Sequence, residues 1–260
     1  MVPEVPRVFD AVFECTLAMI NKDFQEFPEH RTNFFLLLRA INQHCFVVFT
    51  QMNQLQLKLV VDSVVWAFKH SMRNVAEIGL GILYELLKNV SKLGADPWAQ
   101  QFYQAWLLHI LEHVLSVVTD SSQAQVAGMT WYAEIIGLIF FMIENEEKIT
   151  VPLNTADPTM SNVDYVYSRV GALLKTGFPH LTDDQIRVTV KGFYSYNRDV
   201  AQLKQHLIDF LVQIKEFIGN DTSDLFLEER EAAIQEAQQA KKAVPGMLNP
   251  FELNEDATMD

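Results

Sequence analysis

Apolar residues recur at helical spacing along nearly the whole chain. Leu57, Val60, Val61, Val64, Val65 and Phe68 form one stripe, and Val200, Leu203, Leu207, Phe210, Leu211 and Ile214 form another. Both follow the i, i+3, i+4, i+7 rule that lines up side chains on one face of an α-helix. No stretch sustains the alternation that a half-buried strand needs. The stripes are interrupted at 22–29 around Pro28, at 92–97, at 119–122, at 179–183 and at 219–221, where Gly, Pro, Asp or Ser residues end one helix and cap the next. Ten helices are predicted, over 3–21, 31–49, 53–70, 72–92, 97–118, 121–145, 162–178, 182–195, 199–217 and 222–243.

These helices pair into five hairpins that begin near 3, 53, 97, 162 and 199. The spacing lies close to the ~40–47 residues of HEAT-type repeats. The predicted fold is therefore all-α, a HEAT-type helical-repeat solenoid closed by a C-terminal helix and an acidic tail. The long irregular segment 146–161, with Pro152 and Pro158, reads as a surface excursion within one repeat body, because the helices on both sides keep an apolar face. The expected division is repeats over 1–220, a capping or crossing helix over 221–243 and a tail over 244–260. Terminal repeats of a solenoid need a polar outer face. The C-terminal end has one, whereas Val5, Val8, Phe9, Val12 and Phe13 and then Phe34 to Leu38 are as apolar as an interior repeat. The expectation is that the array continues upstream of Met1.

Composition sharpens this picture. The 260 residues are 49% hydrophobic with only ten Gly and nine Pro, too few turn formers for a β-rich chain. The formal charge of -13 disfavours nucleic acid or an anionic membrane as the main partner. That charge is uneven, because Asp221 to Asp260 holds ten acidic and three basic residues. The longest unbroken apolar run, Ile135 to Ile143, is nine residues, about half a membrane span, and no leader pattern opens the chain. A soluble intracellular protein is expected. Cys15 and Cys45, each in apolar surroundings and without a CxxC, read as reduced thiols.

Of the catalytic patterns, His109-Ile110-Leu111-Glu112-His113 matches the H-x-x-E-H of inverted zinc peptidases. Two histidines one turn apart could bind Zn²⁺ with Glu112 as base, but the same residues also fit the seam of a helix whose core face is Ile110, Leu111, Val114 and Val117. No G-x-S-x-G, phosphate loop or G-x-G-x-x-G is present. A non-enzymatic protein without a cofactor is expected, with a zinc hydrolase or a generic helical scaffold as alternatives. The distinctive segment is the last one. Asp221 to Asp224 offers a negative first turn, Leu225-Phe226-Leu227 opens a helix, and Ala232 to Ala243 is a helix-forming run with a thin apolar stripe. Such a helix docks weakly, as a cap or as a reversible regulatory element.

Longer stretches carry a more specific signal. Val5 to Leu17, Pro28 to Leu38, Trp66-Ala67-Phe68-Lys69-His70, Asp209-Phe210-Leu211-Val212-Gln213-Ile214-Lys215-Glu216-Phe217 and Asp221 to Glu231 resemble the C-terminal region of the exportin family, the karyopherin-β nuclear export receptors. The resemblance covers essentially the whole chain and is weaker at 92–100 and 146–165. It implies a ring-like superhelix in which this chain supplies the last repeats, the second helix of each pair (31–49, 72–92, 121–145, 182–195) facing inward. It implies Ran-GTP, export-signal cargo and nuclear pore proteins as partners, and shuttling between nucleus and cytoplasm. The cargo groove and its reactive cysteine lie upstream in that family, so neither Cys15 nor Cys45 corresponds to it. The family's last helix crosses the ring and, with the acidic tail, favours a cargo-poor state. Here the matching residues are Leu225, Phe226, Leu227, Glu228 and Glu229, then Lys241 and Lys242, where the family's helix end is more basic, and Glu252, Glu255 and Asp256 in the tail.

Overall fold

A computed structural model describes residues 11, 13, 15, 16, 28–120 and 128–242. Among them every regular element is helical: α1 (Pro28–His44), α2 (Val47–Thr50), α3 (Gln54–Phe68), α4 (Arg73–Lys92), α5 (Pro97–Phe102), a π turn (Tyr103–Leu107) running into α6 (Leu108–Thr119), α7 (Met129–Glu144), α8 (Asn162–Gly177), α9 (Asp183–Ser195), α10 (Val200–Ile218), a 3₁₀ turn (Ser223–Phe226) and α11 (Leu227–Lys242). Most of the helix 3–21, the residues 121–127 and the tail 244–260 lie outside the described residues.

Local chemistry sets the boundaries. Asn53 with Gln56 and Thr182 with Gln185 form reciprocal capping boxes at the starts of α3 and α9. Ser161 and Asp199 cap α8 and α10 through side-chain oxygens, and Asp96 with Pro97 opens α5. Gly219, at φ 78°, ends α10 in the left-handed conformation that glycine adopts without strain. The predicted helices meet three departures. The helix 31–49 breaks at Cys45 and Phe46, where the Phe46 ring packs edge-on against Phe49 and Trp98. The helix 97–118 contains the π turn, with Tyr103 and Leu107 buried in it. The helix 222–243 starts as a 3₁₀ turn, because the Ser223 N–H donates to Asp221 Oδ1 and the Leu225 N–H to Thr222 O, bonds that tighten the first turn.

Two layers build the stack. The second helices of successive pairs pack on one another, α1 on α4, α4 on α7 and α7 on α9, while α3, α5–α6 and α8 lie in the other layer. One continuous core runs through it, from Phe35 and Phe68 through Leu80, Tyr132 and Phe140 to Phe193 and Leu207. Helices approach most closely at glycines: a Cβ on Gly79 of α4 would lie 2.6 Å from Phe68 N of α3, and one on Gly137 of α7 would lie 3.0 Å from Asn197 O. This is an all-α helical-repeat solenoid.

The segment 145–161 is tied to the body more closely than a surface excursion. Buried Gln100 donates to Gly94 O and Lys148 O, both at 2.8 Å, and accepts from the Thr150 N–H at 2.8 Å. Asn162 holds the other end, donating to Val151 O and accepting from the Leu153 N–H. Ile149 and Leu153 insert into the core. Gln100→Ala removes three bonds at once, so we expect a loss of about 1–2 kcal/mol in denaturant unfolding and faster exchange of the Thr150 amide.

Candidate functional site

The C-terminal segment makes the polar constellation of greatest interest. After the αL cap at Gly219 the chain turns back, and Leu225 of the 3₁₀ turn is 2% exposed, plugged into the end of the core. Phe226 is half-exposed and Leu227 partly buried. Arg230 donates to Ser223 O at 2.9 Å and ties α11 to this turn.

Glu228 is the anchor. Helix α7 begins after Gly128, which sits at φ 83° and gives no side-chain cap. The cap comes instead from α11: Glu228 Oε2 accepts from the Thr130 hydroxyl at 2.7 Å, and Oε1 accepts from the Thr130 N–H at 3.3 Å. A carboxylate at this end meets unpaired N–H groups and the positive pole of the helix. Lys204 of α10 completes the site, its Nζ 2.5 Å from Glu228 Oε2 and 2.7 Å from Glu229 Oε1. Gly128 is required twice over, because a Cβ there would lie 2.0 Å from Glu228 Oε1 and would strain the positive φ.

A second attachment follows one turn later. Arg73, the first residue of α4, makes a bidentate pair with Glu231 at 2.6 and 3.1 Å and also holds Glu77 at 2.7 Å. These carboxylates keep the Arg73 guanidinium charged beyond its usual range. From Glu231 to Gln238 every residue of α11 is exposed, Ile234 included. The helix is thus fastened by its first turn and a half, across the N-terminal ends of α7 and α4. The side chains of Lys241 and Lys242, and the whole of Glu252, Glu255 and Asp256, lie outside the described residues.

The titration of this anchor has a definite sign. Burial pushes the Glu228 carboxyl up, but the bonds from Lys204 and Thr130 outweigh it and hold the group below 4.5. Burial lowers Lys204 and its pairs with Glu228 and Glu229 outweigh that, leaving it above 10.5. A depressed acid stabilises the docked state above its unfolded pKa and loses that contribution as pH falls through the docked value; a raised base does so as pH rises through its own. Docking of α11, followed by amide exchange corrected for intrinsic rate, is therefore expected to be constant between about pH 5 and 10 and to weaken below about pH 4.5.

The histidine pattern is spent on other contacts. His109 and His113 do meet, edge to face at 4.4 Å between centroids. His113 Nδ1, however, lies 2.8 Å from Lys69 Nζ, and Glu112 is paired with Arg169 at 2.7 Å. Burial and the Lys69 charge lower the His113 pKa. Among the described residues no three His, Cys, Asp or Glu side chains converge as a metal site, and no helix among them is long and apolar enough to cross a membrane.

Sequence reasoning singles out Leu225, Glu228 and Glu229; it does not single out Glu231, nor the residues that meet these carboxylates, Thr130 and Lys204 at Glu228 and Arg73 at Glu231. Lys204 left one signal in the sequence, its place directly after the apolar stripe residue Leu203.

Comparison with known proteins places this geometry in a family. The family model described as CRM1 C terminal matches residues 1–219, ending where the C-terminal segment begins. Exportin-1 of Drosophila melanogaster is 50% identical over 257 residues, covering 97% of this chain and 23% of the fly protein. Exportin-1 of Schizosaccharomyces pombe is 42% identical over 259 residues, covering 96% of this chain and 23% of the yeast protein. Protein EXPORTIN 1B of Arabidopsis thaliana is 39% identical over 256 residues, again 97% of this chain and 23% of the relative. This chain spans less than a quarter of the length of these relatives. By the family match and these identities, the chain belongs to the CRM1 C-terminal family and corresponds to the C-terminal region of the exportin-1 proteins.

Proposed function

We propose that this chain is the C-terminal part of a non-enzymatic receptor that carries leucine-rich export-signal proteins out of the nucleus with Ran-GTP and shuttles through the nuclear pore. In this reading 1–220 supplies the last repeats, with α1, α4, α7 and α9 lining the inside of the ring. Residues 221–243 and the tail 244–260 act as a regulatory strap that favours the cargo-poor state. Cargo is bound by upstream parts of the parent chain, and pore proteins meet the receptor during passage.

The observation that carries the regulatory part is the one-ended fastening of α11. Glu228, Glu229 and Glu231 reach three separate helices through Thr130, Lys204 and Arg73, while the next two turns touch nothing apolar enough to bury. An element held by a few charge-assisted bonds exchanges between docked and released states at modest cost, as a switch requires. The reading is tested by capture of the intact parent protein on an immobilised export-signal peptide. Retention that depends on Ran-GTP supports it; equal retention with and without Ran-GTP supports a generic helical scaffold.

A further inference from the structure

Lys69 and His113 meet across the seam between α3 and α6, in a contact that the export reading does not use. Lys69 directly follows α3, and its Nζ lies 2.8 Å from Nδ1 of His113, which stands one turn beyond His109 on α6. Both residues are partly exposed, so solutes reach the pair from the surface.

The surroundings set this lysine apart. Lys58, Lys88, Lys175 and Lys204 each pair with a carboxylate, a partner that favours the ammonium form. Lys69 has no carboxylate within ion-pair distance among the described residues. The nearby acids are committed elsewhere, Asp62 of α3 to Lys58 and Glu112 of α6 to Arg169 of α8. Burial lowers the Lys69 pKa, which raises the share of neutral, nucleophilic amine. Burial and the Lys69 charge also bring His113 below 6.5, so its ring is uncharged in neutral solution and Nδ1, facing the lysine, has a lone pair able to take a proton. A desolvated amine held against a neutral base is the arrangement of an activated nucleophile.

We infer that Lys69 is a site of acylation by acyl thioesters, with His113 Nδ1 as the base. The amine lone pair attacks the thioester carbonyl carbon and forms the C–N bond. The proton leaving the nitrogen passes to His113 Nδ1 as the C–S bond breaks; the thiolate departs with that electron pair and recovers the proton as a thiol. The amide product keeps one N–H for His113 and carries no charge, so the α3–α6 seam loses a cation. The inference goes beyond the export reading and does not rest on it.

The test incubates the intact parent protein with acetyl-coenzyme A in mildly alkaline buffer and follows each lysine by site-resolved mass spectrometry. Lys191 of α9, exposed and without a hydrogen bond or ion pair to the described residues, is the reference. Lys69 is expected to be acetylated at least about threefold faster than Lys191, an advantage that vanishes in denaturant. That comparison needs no variant and stands whatever a substitution does to the fold. His113→Gln keeps an acceptor for the amine but lacks the base, and is expected to slow Lys69 by about threefold or more while Lys191 reacts as before. Acetylation of Lys69 no faster than of Lys191, an advantage that persists in denaturant, or a Lys69 rate indifferent to His113→Gln overturns the proposal.

Discussion

Gly79→Ala lowers the unfolding temperature of this chain by roughly 5–10 °C, the result of a loss of about 2–3 kcal/mol. On an exposed helix the same exchange would stabilise by ~1 kcal/mol, because alanine is the better helix former. The sign reverses here because the new Cβ would lie 2.6 Å from Phe68 N, 2.7 Å from Ala67 Cβ and 2.9 Å from Ala67 C. These are mostly backbone atoms and cannot rotate aside. Helices α3 and α4 must separate, which opens the core beside Ala67, Phe68 and Leu80, each at most 1% exposed. Gly177 provides the internal control: it ends α8 with nothing within 4 Å of its Cβ position, so Gly177→Ala is expected to be neutral or slightly stabilising. Calorimetry of the two variants side by side checks the claim, and a Gly79→Ala chain as stable as Gly177→Ala would contradict it.

Glu228→Ala releases the C-terminal helix. The substitution removes the cap on α7, worth about 1 kcal/mol, and takes from Lys204 the nearer of its two carboxylates, a charge-assisted bond worth ~1–2 kcal/mol more. A docking free energy smaller by about 2–3 kcal/mol shifts the docking equilibrium roughly 30- to 160-fold. The amides of 227–238 are expected to exchange faster by about that factor. Glu228→Gln keeps the acceptor for Thr130 and loses the charge toward Lys204, so it falls between. Gly128→Ala, which pushes the carboxylate away through the close approach at 2.0 Å, acts in the same direction. The body should barely respond, because Leu225 still plugs the core. A fall in unfolding temperature with unchanged exchange of α11 would instead make the helix a fixed cap of the stack.

The repeat body was legible from sequence because its information is local. The stripes at 57–68 and 200–214 have the helical period, and caps such as Asn53, Thr182 and Asp199 sit where the stripes begin. The departures arise where distant residues decide. Nothing at Cys45 and Phe46 signals a break, since no Gly or Pro stands there; the break accompanies packing of Phe46 on Trp98, fifty-two positions away. The segment 146–161 reads as a surface excursion until Gln100 is seen to hold both Lys148 and Thr150. The histidine motif put two rings and a carboxylate at metal-like spacing, yet Lys69, just after α3, and Arg169 of α8 claim His113 and Glu112. The strap shows both sides of this. Its composition announced a thinly apolar helix, whereas its grip depends on Thr130 and Arg73, separated from their partners by 98 and 158 positions. Periodicity cannot reach contacts of that range.

The central claim is that the C-terminal segment, latched at Glu228, restrains the receptor. The most direct measurement is the affinity of the intact parent protein for a fluorescent export-signal peptide without Ran, compared with a form lacking 221–260 and with Glu228→Ala. The account predicts tighter binding for the deletion and, to a lesser degree, for Glu228→Ala. Unchanged or weaker binding in the deletion would contradict it.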